Sequence, residues 1–258
     1  MEPVLMSITD QVAQITLNRP EVYNSFNGSM ALALQAALDE CKTNPEVRAI
    51  YLTGAGKAFC AGQDIQEVTS EGAPSLEQIL QNHLNPIIQR LRNIEKPIVC
   101  GVNGVAAGAG ANIAIACDIT VASSKASFIQ AFIKIGLVPD SGGTYLLPRL
   151  IGWQRAAALM MLGEKISAAE AASMGMIYKE LPEKKFNEQA LAIAQQLAQL
   201  PTAAIGLTKR ALNYSFTNEL DRQLAIEEQL QTTAGLTADY QEGVQAFLEK
   251  RKPDFKGL

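Results

Sequence analysis

Gly104-Val105-Ala106-Ala107-Gly108-Ala109-Gly110-Ala111-Asn112 carries no side chain larger than valine before its last position. It lies between an apolar, strand-like run, Pro97-Ile98-Val99-Cys100-Gly101-Val102, and an apolar, helix-like run from Ile113 to Cys117. Small residues of this kind let a second backbone or a bound molecule approach closely. Where such a run opens a helix, its free N–H groups face the approaching atom and favour negative charge. A second small-residue turn, Ala58-Phe59-Cys60-Ala61-Gly62-Gln63-Asp64, follows another strand-like run, Ala49 to Thr53. Two such turns can aim two N–H donors at one oxygen, which is an oxyanion hole. They can equally be tight turns that pack helices on a sheet.

The chain's 258 residues suit one large domain, or a domain with an appendage, and 48% hydrophobic content supports a real core. A net charge of −4 without a basic patch argues against a nucleic-acid partner. The start, Met1-Glu2-Pro3-Val4, lacks the pattern of a signal peptide, and no stretch approaches the length of a membrane span. Cys41, Cys60, Cys100 and Cys117 are widely spaced, with no CxxC. They read as buried thiols of a reducing, cytoplasmic compartment rather than as metal ligands. His83 is the only histidine, which makes a His-based triad or a His-rich metal site hard to build. It sits in a helical pattern and reads as structural.

Two short strands are expected at residues 3–8 and 11–17, turning at Thr9-Asp10. An Ala/Leu-rich helix follows from Ser29 to Lys42, then a buried strand from Val47 to Thr53. Residues 66–75 are polar and read as a mobile loop or a short helical piece. Glu67 and Glu71 fall there as mostly solvated residues, with reach into the acyl pocket as the alternative. Ser75-Leu76-Glu77-Gln78 has the capping-box pattern and opens the helix that carries His83, which Pro86 should kink. Strand 97–102, helix 108–116 and a strand from Cys117 to Ala122 come next; residues 126–135 are ambiguous. Gly136-Leu137-Val138-Pro139-Asp140-Ser141-Gly142-Gly143-Thr144 is another Gly-rich loop, with a carboxylate in it. Helices are expected at 143–149, 152–162 and 168–174, with Gly175 as C-cap and a last strand within 176–181. A helix over 186–199 stops at Pro201, and helices over 203–214, 219–234 and 238–250 complete the chain. This predicts an α/β core over residues 1–200 and a helical region over 201–258. Leu207, Leu212, Leu220, Leu224, Leu230, Val244, Phe247 and Leu248 in that region need a surface to pack on, and a neighbouring subunit is a candidate.

The motifs together resemble the crotonase family, the enoyl-CoA hydratase/isomerase superfamily. They are Leu17-Asn18-Arg19-Pro20, Asn24-Ser25-Phe26-Asn27, Phe59-Cys60-Ala61-Gly62-Gln63-Asp64, the Gly/Ala run after Asn103, Cys117-Asp118, Pro139 with Gly142-Gly143-Thr144, and Phe247-Leu248-Glu249-Lys250-Arg251. The resemblance implies a spiral of β-β-α turns with a C-terminal helical trimerisation region. It also implies an acyl-CoA substrate, no separate cofactor, no metal, and a homotrimer or hexamer, with or without a partner hydratase. The oxyanion-hole N–H groups fall by motif position on Gln63 and Ala109. For the ligand it points to Asn24, Phe26, Ala61, Gly62, Asp64 and Ile65, and to Phe247 and Lys250 from the tail. By itself Asp64 reads as a cap of the Ala-Gly-x-Asp turn, and Asp118 as structural.

Hydratases of the family add water with two glutamates, and their positions carry over to Asn112 and Phe132. Neither transfers a proton. Asn112 reads as a polar helix residue and Phe132 as a wall of the acyl pocket. Asp140 remains. One carboxylate beside an enolate can take a proton from one carbon and return it to another, and burial near Phe132, Leu137 and Val138 should raise its pKa. As a plain structural residue it would be a turn-former or N-cap. The loops at 103–111, 136–144 and Leu146-Leu147-Pro148-Arg149 are most similar to the family's ring-epoxide isomerases of phenylacetate degradation, which are also linked to 3-enoyl to 2-enoyl shifts. The expected activity is therefore acyl-CoA isomerisation. The alternatives are an enoyl-CoA hydratase of fatty-acid or aromatic-acid degradation, a non-catalytic acyl-CoA-binding partner subunit, and a dehalogenase with an aspartate nucleophile.

Overall fold

The computed structural model describes residues 2–258. The chain opens with β1 (Val4–Thr9) and β2 (Val12–Leu17), an antiparallel hairpin. α1 (Gly28–Thr43), β3 (Ala49–Gly54) and β4 (Ala58–Cys60) follow. The start of the polar stretch forms a short helix, α2 (Ile65–Thr69), the helical one of its two expected readings. α3 (Leu76–Ile79), capped by the Ser75–Gln78 box, runs through a π-helical turn at Leu80–Leu84 into α4 (Asn85–Asn93). Then come β5 (Ile98–Val102), β6 (Val105–Ala107), α5 (Ala109–Ala116), β7 (Ile119–Ser123) and β8 (Ser127–Ile129). Past a 3-10 turn at Ala131–Ile135 lie α6 (Gly143–Ile151), α7 (Trp153–Leu162), β9 (Lys165–Ser167), α8 (Ala168–Ser173) and β10 (Lys179–Leu181). α9 (Phe186–Ala198), α10 (Thr202–Ser215), α11 (Leu220–Ala234) and α12 (Ala238–Glu249) finish the chain.

The strands form two sheets, ordered β1-β2-β3-β5-β7-β10 and β4-β6-β8-β9. β3, β5 and β7 pair in parallel in the first; β4, β6 and β8 pair in parallel in the second. Each turn of chain therefore lays one strand in each sheet, which is the expected spiral. The central strands β3, β5 and β7 are buried on both faces, so their sequences are mostly apolar runs, whereas the edge strand β1 alternates half-buried and exposed residues. One face packs on α1, α4 and α5 in the main core. The other takes α9, whose Ala190, Ala194 and Ala198 lie against Val12, Ala49, Tyr51, Val99 and Val121. The small sheet is built of three-residue strands, too short to leave a periodic signal. The Gly/Ala run is accordingly a strand, β6, before it is a helix.

Pro86 has no N–H, so it leaves the carbonyl of Asn82 without its helical donor. The side-chain amide of Gln35, on α1, donates to that carbonyl at 2.8 Å and to His83 O at 3.0 Å. The expected kink is thus a π-helical turn whose freed carbonyls are satisfied from the neighbouring helix. All four cysteines are buried free thiols, as the sequence predicts.

α10 is bound closely to the core. Lys209 Nζ donates to Leu91 O at 2.7 Å and pairs with Asp118 at 2.8 Å. Asn213 Nδ2 donates to Arg92 O at 2.8 Å. α11 packs on α10 through Leu207, Ile226 and Leu230. Leu220, Leu224, Val244, Phe247 and Leu248 remain exposed in the single chain.

Candidate active site

β4 and β6 lie side by side, Ala58 opposite Val105 and Cys60 opposite Ala106, so the turns that follow them leave the small sheet together. Gln63 bridges to Phe26. The Phe26 N–H donates to Gly62 O at 2.7 Å, and the Asp64 N–H donates to Phe26 O at 2.8 Å. Those bonds fix the turn on both sides of Gln63. Across from it, Gly108 adopts φ 53°, ψ −127° as the N-cap of α5, a conformation a side chain would not tolerate. Its N–H donates to Ile129 O at 2.9 Å, so Ala109 becomes the first helical residue. Among the described residues, neither the Gln63 N–H nor the Ala109 N–H has an acceptor in the protein.

A β-carbon placed on Gly62 would lie 3.0 Å from Ala107 O and 3.6 Å from Ala109 N; one on Gly108 would lie 3.8 Å from Cζ of Phe132. The Gln63 turn, the start of α5 and the Phe132 ring therefore converge. Ala109 is 2% exposed. Two backbone donors without a protein acceptor, one of them the buried first N–H of α5, can stabilise an oxygen that gains negative charge.

Asp140 stands half-buried on the loop before α6. Burial pushes its carboxyl above the usual carboxylate range, against the Ser141 hydroxyl, which donates to Oδ1 at 2.8 Å and acts downward. Such a group is suited to carrying a proton in both directions.

The structure moves several expected contacts indoors. Asn24 is 0% exposed. Its Oδ1 accepts from Arg19 N at 2.8 Å and its Nδ2 donates to Ala55 O and Ala58 O at 2.9 Å each, which leaves its side chain nothing for a ligand. Phe26 is likewise a core residue, and the exposed neighbour is Tyr23. Asp64 caps α2 through Gln66 N and pairs with Arg19 at 2.9 Å, a structural role. Asn112 is buried with both ends of its amide engaged inside the protein. Phe132 is buried beside Gly108, as a pocket wall would be. Ala61 and Ile65 are exposed beside the Gln63 turn. Phe247 and Lys250 stand on the surface at the end of α12.

Glu67 was expected in solvent and is instead part of this site. Its Oε2 accepts from Gln63 Nε2 at 2.8 Å, and its Oε1 from Gly28 N at 2.7 Å. The four-residue spacing of Gln63 and Glu67 was the available signal. Among the described residues no three His, Cys, Asp or Glu side chains group as a metal site, and no single helix is long and apolar enough to cross a membrane.

The sequence matches the family described as enoyl-CoA hydratase/isomerase over residues 7–258. It is 45% identical to the 1,2-epoxyphenylacetyl-CoA isomerase of Escherichia coli K12, over 100% of this chain and 99% of that protein. It is 46% identical to a Rhodobacter capsulatus protein named "Probable enoyl-CoA hydratase", over 97% and 96%. The structure superposes on the enoyl-CoA hydratase of Bacillus anthracis with a TM-score of 0.92 at 33% identity, covering 99% and 100% of the two chains.

Proposed function

The chain belongs to the enoyl-CoA hydratase/isomerase family, and from that premise we propose that it is an acyl-CoA isomerase that uses one aspartate. The thioester oxygen sits between the N–H groups of Gln63 and Ala109. Asp140, ionised, removes a proton from the carbon next to the thioester. The negative charge moves to the oxygen, where the two donors stabilise it more than they stabilise the ground state. Asp140, now protonated, returns the proton two carbons further along, and the double bond moves from the 3,4 to the 2,3 position. The carboxylate ends as it began, and no water is consumed. The same clamp and acid–base group suit rearrangement of ring-1,2-epoxyphenylacetyl-CoA to its oxepin, and the relative at 45% identity bears the name of that isomerase.

The observation that carries this reading is what occupies the hydratase positions. Asn112 is spent on internal hydrogen bonds and Phe132 is a buried hydrocarbon ring, while Asp140, whose backbone carbonyl Asn112 holds, has a carboxyl raised by burial. The hydratase name of the relative at 46% identity supports a second reading, in which another carboxylate activates water. CoA would run over the exposed Ala61 and Ile65. The exposed apolar side chains of α11 and α12, with Phe247 and Lys250, would meet a neighbouring subunit of a homotrimer or hexamer.

A paired assay tests the proposal. A 3-enoyl-CoA is followed for formation of the conjugated ester, and crotonyl-CoA for its loss by hydration, each with the wild type and Asp140→Asn. Isomerisation that disappears in the variant, with negligible hydration, is expected. Robust hydration overturns it in favour of the second reading.

A further inference from the structure

Asp140 begins a four-residue turn that its own sequence does not favour. Ser141 and Gly142 both have positive φ, 50° and 71°, and Gly143 N donates back to Asp140 O at 2.9 Å. Two successive positive φ values make a type I′ turn, and serine is a strained choice at its first central position. Strain of that kind persists only where the surroundings fix it.

The surroundings are two buried amides. Asn112 Nδ2 donates to Asp140 O at 2.8 Å, and Asn112 Oδ1 accepts from Gln130 Nε2 at 2.8 Å. The order is dictated chemically: a carbonyl only accepts, so Asn112 must turn its NH₂ to Asp140 and its oxygen to Gln130, which must then present its own NH₂. Gln130 follows β8 and is itself buried. A strand of the small sheet, the second turn of α5 and the Asp140 loop are thus joined in one line. Gly143 makes room for it, because a β-carbon there would stand 2.3 Å from Asn112 Nδ2. A carboxylate at position 112 has no proton to donate to Asp140 O and would place like charge beneath Asp140.

We infer that Asn112, oriented by Gln130, is a positioning residue that holds the Asp140 turn in the geometry proton transfer needs. This rests on Asp140 being the acid–base group. Proton transfer requires heavy atoms within about 3 Å of each other, and a shift of about 1 Å in such a group costs on the order of 100-fold in rate. Asn112 therefore acts on turnover through Asp140, without touching the substrate.

The test measures isomerisation of 3-hexenoyl-CoA against pH for the wild type, Asn112→Ala, Asn112→Asp, Gln130→Ala and Asp140→Asn, with the folded fraction of each fixed by circular dichroism. Asn112→Ala is expected to lower kcat by roughly 10- to 100-fold with KM within about threefold. Asn112→Asp should lower it as well and move the acid limb of the pH profile upward, because a new anion near Asp140 favours its protonated form. A purely structural role would reduce the folded fraction and leave kcat per folded molecule and the acid limb in place; that result overturns the inference. If both Asn112 variants fail to fold, Gln130→Ala decides: a fall in kcat of about three- to tenfold supports the line of amides, and an unchanged kcat overturns it. Asp140→Asn separates the two readings. If it keeps wild-type turnover, the one-aspartate mechanism fails and this inference with it. If it is inactive while the Asn112 and Gln130 variants are unaffected, this inference alone fails.

Discussion

Gln63, in the turn before α2, and Glu67, on that helix, are joined by a hydrogen bond of 2.8 Å from Nε2 to Oε2, and the second oxygen of the same carboxylate takes the first N–H of α1. The carboxylate sits at the positive end of that helix, where a negative charge is favoured. It thereby links Gln63 to a fixed element of the core.

Removing this link should loosen the Gln63 turn without removing its donor. Glu67→Ala is expected to lower kcat/KM for an acyl-CoA ester by about tenfold, or ~1.4 kcal/mol of barrier. Steady-state kinetics beside a thermal melt check this. A loss of melting temperature with unchanged kcat/KM would make Glu67 a scaffold residue only.

Asp140 should set a dependence of stability on pH. Its folded pKa is raised by burial, so between the ordinary carboxylate value and that raised value the folded chain holds a proton that the unfolded chain has released. Stability contributed by this group therefore falls as pH rises through the window. Below the window both states are protonated and the effect vanishes. Asp140→Asn, which cannot ionise, should melt higher than the wild type at neutral pH, and the difference should close as pH drops through the carboxylate range. Melts at a series of pH values read this directly. A variant that melts lower at neutral pH would mean that its hydrogen bonds matter more than its burial.

The attachment of α10 offers a third test. Lys209 is 6% exposed, and its ammonium is shared between Leu91 O and Asp118, whose carboxylate also accepts the Ile98 N–H at 2.9 Å. Taking away the cation leaves a carboxylate without its partner in a poorly hydrated place. Lys209→Ala is expected to cost about 3–5 kcal/mol. The double variant Lys209→Ala, Asp118→Asn should recover part of that loss, because no charge is then stranded. Urea unfolding of the single and double variants gives the coupling; strictly additive losses would show that the pair is not coupled.

The centre of the large sheet is legible in the sequence because its strands are buried on both faces. Ala49 to Leu52 and Pro97 to Val102 are apolar runs, and they stand in β3 and β5. The small sheet is not legible. Ala58–Cys60, Val105–Ala107 and Ser127–Ile129 are three residues each, shorter than any period can be counted in, and their ladder depends on partners far away in sequence. The same contrast divides the site. Gly62, Gly108 and Gly110 mark the two turns, since only small residues allow that approach, and Asp140 stands out as a carboxylate in a glycine loop. Nothing in the sequence around Asn24 and Asn112 marks them as buried. Their burial follows from carbonyls at Ala55, Ala58 and Asp140 that need donors, a demand created by tertiary structure alone.

The end of the chain is held by a cation with no anion. Arg48 is buried, and its guanidinium donates to Thr202 Oγ1 at 3.0 Å, Leu200 O at 2.7 Å and Phe255 O at 2.8 Å. Among the described residues no carboxylate pairs with it. Three neutral acceptors disposed around one planar fork suit arginine and not lysine, whose single ammonium cannot reach all three. Arg48→Lys should therefore lose nearly as much stability as Arg48→Ala, about 2–4 kcal/mol, since each hydrogen bond to a charged group contributes about 1.5–3 kcal/mol and part of that loss is relieved by hydration. The segment after α12 should be released first. Limited proteolysis is expected to cut near Lys252 or Lys256 in both variants while the wild type resists. If Arg48→Lys protects that segment as well as arginine does, the charge alone anchors the tail and the fork geometry is not required.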